Sequence, residues 1–262
     1  MHGVVIVEQR YTNTLFTSVQ YQVNDIGECD MILLLGDIHG DWRILHDAIQ
    51  KAELVGAKAL IQVGDFGLFR GGQTGLGAKL PNNENDFRRV VSKSKIPVYF
   101  IEGNHDDCDR WLYHTEVTQV FDDALFYYVP RGTVMELDER TVAFMGGASS
   151  INKKWSLRDG AHWTPLEDIR QEDIDKLLRN ADGKKIDIFI THIPPHSVIQ
   201  EHFDNTAKLF FEVGLDWHDQ NQTIVEELWH KLGTPLIFSG HMHKRVVGMT
   251  YRILDINELL AV

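Results

Sequence analysis

The chain has 262 residues, 43% hydrophobic and 24% charged, an ordinary balance for a globular protein that can bury a core without cross-links. Its formal net charge of −12 argues against nonspecific binding to duplex nucleic acid or to an anionic membrane, both of which call for a basic footprint. A phosphorylated substrate stays open, because a bound cation can supply positive charge locally.

Two cysteines, Cys29 and Cys108, stand far apart. They give neither a disulfide framework nor thiolate-metal spacing, and a reducing, cytoplasmic compartment is expected. The opening MHGVVIVEQRYTNTL lacks a basic segment followed by a long apolar one, so no secretory signal is expected. No apolar run approaches the ~20 residues needed to cross a bilayer.

In chain order, GVVIV and TLFTSVQYQV are β-rich and flank EQRYTN, which predicts a hairpin within residues 1–30. MILLLG predicts a buried strand ending at Gly36. DWRILHDAIQKAEL sets Trp42, Leu45, Ile49 and Leu54 at helical spacing behind Asp41 as N-cap. ALIQVG predicts a second buried strand. The Gly67–Gly77 stretch reads as a loop, ENDFRRVVSKSK as a helix and IPVYFIEG as a third strand. ALFYYVP, GTVMEL and RTVAFMGG come next as strands, and SSINKKWSLRDGAHW as a loop. Thr164, Pro165 and Glu167 form a helix start with a capping box, leading into LEDIRQEDIDKLLRN. KIDIFITH is a strand, and QTIVEELWHKLG a helix ending at Gly233. TPLIFSGH and VVGMTYRIL close the chain as strands. With no repeat or linker, one domain over residues 1–262 is expected, its sheets covered by helices on their outer faces.

Chemistry concentrates where strands end. The clusters are GDIHGD (36–41), GDFG (64–67), GNHDD (103–107), TH (191–192) and GHMH (240–243). Strand ends are where α/β folds place their sites, and glycine lets the backbone turn there. Asp37, His39, Asp65, Asn104, His192, His241 and His243 offer carboxylate, amide and imidazole groups, a set suited to manganese, iron or zinc. Asp37 with His39, and His241 with His243, are spaced i, i+2; in an extended segment both members point to one side. Two metals ~3.5–4 Å apart form a clamp for in-line displacement at phosphorus. One aspartate after a glycine is ordinarily a turn former or helix cap. Five metal-compatible clusters in regular order are not explained that way.

The order GDIHG … GD … GNHD … H … GHMH resembles the calcineurin-like metallophosphoesterase superfamily, from residue 32 to about residue 250. The resemblance implies a four-layer α/β/β/α sandwich, here with an N-terminal β-hairpin extension, and a dinuclear metal centre at one edge. It implies Asp37, His39, Asp65 and His243 as ligands of one ion. Asp65, Asn104, His192 and His241 would hold the other, so that Asp65 bridges. His105 matches the substrate-contacting histidine assigned as general acid, Asp106 the acidic residue that orients it, and Asn104 also faces substrate. The expected cofactor is two divalent ions, manganese first, with iron, zinc, nickel or magnesium as alternatives. The expected reaction is hydrolysis of a phosphate mono- or diester of a small nucleotide-like substrate. Two ions would lower the pKa of a shared water, and the resulting hydroxide would attack in line. An imidazole suits protonation of the leaving oxygen near neutral pH, and Asp106 would favour its charged form.

Departures from the pattern refine this. GDIHGD is similar to the phosphoprotein-phosphatase branch, which also carries an Asp-Arg pair after the second motif and an arginine two residues before the third-motif asparagine. Here GDFGLFR displaces Arg70 by a residue with no aspartate before it, and position 102 is glutamate. GHMH is typical of the phosphodiesterase-like branches. A Ser/Thr protein phosphatase is therefore the alternative, and a non-catalytic scaffold a weaker one. Arg70 and Arg158 are candidate substrate-binding cations. INKKWSLRDGAHW holds Lys153, Lys154, Arg158, Trp155 and Trp163, which could grip phosphate and stack a base or form a solvated loop. GGQTGLGAK fails the phosphate-loop spacing, since Lys79 has no Ser or Thr after it. It is expected to be a surface loop, with a lid or substrate-selecting role open. The oligomeric state is left open.

Overall fold

Every residue of strand β1, Ile32–Leu35, is buried, and the strand feeds two different cores. Leu33 and Leu35 pack with Leu45 and Ile49 of a helix. Ile32 and Leu34 pack with Phe144 and Ile190 of a second sheet. Side chains alternate across a strand, so a wholly apolar strand has to be covered on both faces. The computed structural model describes residues 31–68, 84–153, 163–204, 208 and 218–262. The hairpin expected in 1–30, Arg70 with most of its glycine-rich loop, and Arg158 lie outside the described residues.

One sheet has the order β12-β1-β2-β3-β5-β4, built from β1, β2 (Ala59–Gln62), β3 (Val98–Phe100), β4 (Thr118–Gln119), β5 (Phe126–Tyr128) and β12 (Leu259–Ala261). Strands β1, β2, β3 and β5 run parallel, and β12 and β4 flank them antiparallel. The other sheet has the order β10-β11-β9-β8-β7-β6. Its strands are β6 (Val134–Leu137), β7 (Arg140–Met145), β8 (Ile188–Thr191), β9 (Leu236–Ser239), β10 (Val246–Val247) and β11 (Tyr251–Ile253). Strands β7, β8, β9 and β11 are parallel. The two sheets share a core that includes Ile61, Val63, Ile101, Val142, Phe144 and Ile188.

Helices cover the outer faces. Helices α1 (Trp42–Leu54) and α2 (Glu84–Val91) pack on the first sheet. Helices α4 (Gln171–Ala181) and α6 (Gln220–Lys231) pack on the second through Leu177, Val225, Leu228 and Trp229. The α/β/β/α layering expected from the sequence is the observed one. Short helices α3 (Cys108–Trp111) and α5 (His196–His202) and strand β4 were not foreseen. Among the described residues no helix is long and apolar enough to cross a membrane.

Some boundaries differ from expectation. Asp41 caps α1 as foreseen, accepting the Arg43 N–H at 3.0 Å. Leu54, however, is 75% exposed. It lies five residues past Ile49, about 140° around the helix, and the buried stripe is Leu45, Ala48, Ile49 and Ala52. The helix expected to run on from Thr164 is broken. A single 3-10 turn, Pro165–Glu167, precedes α4. The cause is Arg131, whose guanidinium takes the carbonyls of Leu166 (3.0 Å) and Glu167 (3.1 Å), which a continuing helix would use internally. Asp173 then caps the new start, accepting the Arg170 N–H at 3.0 Å. VVGMTYRIL is two antiparallel strands, not one. Strand β12, missed in the sequence, pairs with β1 in the register Leu33↔Ala261.

Candidate metal centre

The turns after β1, β2, β3, β8 and β9 bring their ligand-type residues together. Asp37, His39, Asp65 and His243 form one set that could hold a metal ion, and Asp65, His192 and His241 another, with the ligand atoms of each set within 4.8 Å of one another. Asn104 joins the second set, its Oδ1 lying 3.0 Å from His241 Nδ1 and 3.3 Å from His192 Nε2. In the first set His243 Nε2 is 3.2 Å from Asp37 Oδ2 and 3.0 Å from His39 Nε2. Asp65 is common to both sets. All seven sequence candidates for metal ligation therefore meet in one place.

The backbone that brings them there is not the expected one. His39 (φ 46°), Asp65 (φ 57°), His241 (φ 66°) and His243 (φ 49°) are left-handed. The i, i+2 pairs converge through tight turns, not through an extended segment. Left-handed non-glycine residues carry strain that persists where the surroundings impose it, and such residues cluster at functional sites. Several glycines beside them serve close approach more than turning. A Cβ at Gly240 would collide with Asp37 Oδ1, and one at Gly103 with Asp65 Oδ1, while standing 2.5 Å from His192 Nε2. Met242, between the two histidines, turns away and packs with Val198, Val246 and Ile253.

The donor set fits a divalent cation. His192 Nδ1 lies 3.0 Å from the Val63 carbonyl. A carbonyl only accepts, so Nδ1 carries the hydrogen and Nε2 faces inward. Inward also point Asp65 Oδ1, 3.3 Å from Nε2, and Asn104 Oδ1. Without a metal the proton on His192 supplies the positive charge that these oxygens face, and a divalent cation would take its place. Two further buried atoms, His39 Nδ1 and Asp65 Oδ2, have no hydrogen-bond partner and lie 4.0 Å apart. Buried polar atoms are ordinarily paired, so these two fit the role of ligand atoms.

The charges of the metal-free site follow from burial and from these contacts. Burial would raise the carboxyls of Asp37 and Asp65. The His243 hydrogen bond and the His192 charge nevertheless hold Asp37 below the usual range, and the His192 and His105 charges hold Asp65 well below it. Burial opposes charge on His192, but adjacent Asp65 outweighs it and raises the imidazole to about 10. Burial together with the His192 charge lowers His241 to about 3, leaving it neutral as a ligand must be.

His105 is half-buried. Its backbone N–H donates to Asp65 Oδ1 at 2.8 Å, and its ring lies 5.4 Å from that of His39, edge to face. Asp106 is buried and accepts three backbone N–H groups: Phe66 (3.1 Å), Gly67 (2.6 Å) and Gly103 (2.8 Å). It ties the second motif to the third, a role the sequence did not reveal. Burial and the neighbouring Asp65 charge push it up to about 7. Lys153 lies over the Trp163 ring, 3.4 Å from its centroid, so two of the expected cation and aromatic partners do meet; Lys154, Trp155 and Arg158 are outside the described residues.

Sequence reasoning also missed the support behind the third motif. Glu102 and Arg131, both fully buried, form an ion pair. The Tyr128 hydroxyl donates to Glu102 at 2.9 Å, and Asp173 lies 3.5 Å from the guanidinium. The signal available was the charged Glu102 at the end of an apolar strand.

A model of the calcineurin-like phosphoesterase family matches residues 31–245. A solved crystal structure aligns with 86% of this chain and 89% of its own at a TM-score of 0.50, with 13% sequence identity; that likeness is one of fold alone. No curated protein matches the chain.

Proposed function

The chain belongs to the calcineurin-like phosphoesterase family, and from that premise we propose that it is a two-metal hydrolase of phosphate mono- or diesters, acting on a small nucleotide-like substrate. The observation that carries the reading is Asp65, shared by both sets of candidate ligands. Divalent ions held there, manganese first, would activate water for in-line attack and neutralise charge on the phosphoryl oxygens.

The chain's own residues do the rest. Asp65 and Asp37 stay anionic, which favours cation binding. His192 is fixed in one tautomer by Val63, and a fixed tautomer orients a ligand. His105 would supply the proton to the leaving oxygen, a role suited to imidazole near neutral pH. Its place is set by its backbone bond to Asp65 and by Asp106, which braces the loop that carries it. Asp106 thus acts through the backbone as a positioning residue. A reducing, cytoplasmic setting fits the buried free thiol of Cys108.

A protein phosphatase is the less favoured reading. The position where that branch carries its arginine holds Glu102, fully buried and engaged with Tyr128 and Arg131. It cannot reach a substrate phosphate. The test is a panel of p-nitrophenyl phosphate, bis-p-nitrophenyl phosphate and nucleotides with manganese added. Metal-dependent hydrolysis is expected. A metal-loaded chain that turned over none of them would favour a binding scaffold instead.

A further inference from the structure

Asn104 can serve a cation only through one of its two terminal atoms. The amide oxygen has lone pairs to give; the amide nitrogen has none and offers only donors. The torsion that exchanges them is broad and roughly two-fold in asparagine. Something has to choose, and the choice lies in the segment after β7. Asn104 Nδ2 donates to Ser150 Oγ at 3.1 Å, which leaves Oδ1 directed at His241 Nδ1 and His192 Nε2.

Ser150 is itself anchored. Its N–H donates to the buried carboxylate of Glu167 at 3.1 Å. The preceding Ser149 N–H donates to buried Asp219 at 2.6 Å. Asp219 is also the N-cap of α6, accepting the Asn221 N–H at 2.8 Å. The Asn221 side chain donates to Ser149 Oγ at 3.1 Å and accepts the Ile169 N–H at 2.8 Å. Two buried acids, from the 3-10 turn and from the start of α6, therefore hold the backbone of 149–150 still. A hydroxyl on so fixed a backbone is a defined point against which an amide can be oriented.

We propose that Ser150 is a positioning residue for the second ion: it holds the Asn104 amide with its oxygen toward the cation. The proposal rests on the two-ion reading above. Groups that orient a metal ligand commonly change metal affinity by about 10–100-fold when removed. That loss is expected for the second ion alone, because among the described contacts Ser150 meets the site through Asn104.

The test is a manganese titration of the metal-stripped full chain, followed by calorimetry and by the magnetic coupling of paired ions. The variants are Ser150→Thr, Ser150→Val, Ser150→Ala, Asn104→Ala and the double variant Ser150→Ala/Asn104→Ala. Threonine and valine have nearly the same shape and differ in the hydroxyl, so their comparison isolates the hydrogen bond. Wild type and Ser150→Thr should take up two ions alike. Ser150→Val and Ser150→Ala should bind the second ion about 10–100-fold more weakly, with the first unchanged. In the Asn104→Ala background Ser150→Ala should cost nothing more, since interacting residues are not additive. Equal affinities in wild type and Ser150→Val overturn the proposal alone, as does a threonine variant as weak as valine. Fewer than two ions in wild type overturns the two-ion reading and the proposal with it.

Discussion

Asp65 Oδ1 lies 3.3 Å from His192 Nε2, with both side chains fully buried at the ends of strands from opposite sheets. The contact joins the two halves of the site. Two buried groups of this kind persist because each compensates the other's charge.

The first consequence concerns pH. His192 is raised from an ordinary 6.5 to about 10. A raised folded-state pKa gives stability that is complete below about pH 6.5 and is lost as pH rises through about 10. The melting temperature of metal-stripped protein should therefore fall across that window. A metal needs the neutral imidazole, so manganese affinity should rise over the same window, with proton release on loading. Melts with and without manganese, and calorimetry in buffers of different ionisation enthalpy, check this. An affinity flat from pH 6.5 to 10 would contradict it.

The second concerns the shared carboxylate. Asp65→Asn removes the negative charge common to both ligand sets, and should cost at least one bound ion per chain. Elemental analysis after manganese loading measures it. Unchanged occupancy would remove Asp65 from its bridging role.

The third concerns the proton donor. His105→Ala should keep its metal and lose about 10²–10⁴-fold in rate on esters with poor leaving groups. The loss should shrink with p-nitrophenol, which leaves without help. Equal losses on both would point away from a general acid.

The fourth concerns the wall behind the third motif. Arg131→Ala leaves buried Glu102 without its cation, and breaking a buried pair from one side costs about 3–5 kcal/mol. Denaturant titration of the metal-stripped chain reads this directly. A change within 1 kcal/mol, about the scale of an exposed pair, would show that Arg131 does little for stability.

The site was readable in the sequence because its ligands come directly after apolar strands that announce themselves. A short apolar run such as ILLL closed by a glycine reads as a strand covered on both faces, and the residues just beyond its end stand at a sheet edge. Contacts between distant residues were not readable. Glu102 and Arg131 are 29 positions apart, and neither neighbourhood names the other. The break at 168–170 arises because Arg131 takes helix carbonyls, which no local propensity encodes. The left-handed turns at His39, Asp65, His241 and His243 were hidden for the same reason: tertiary packing imposes a conformation that these residue types do not prefer. Strand β12 has three residues, too few for a periodic signal, and owes its existence to the open edge of β1.

One carboxylate, Asp65, is common to both candidate cation sites. The most direct measurement is the metal content of the wild-type chain after saturation with manganese and removal of the excess. Two ions per folded chain are predicted. One ion or none would contradict the account.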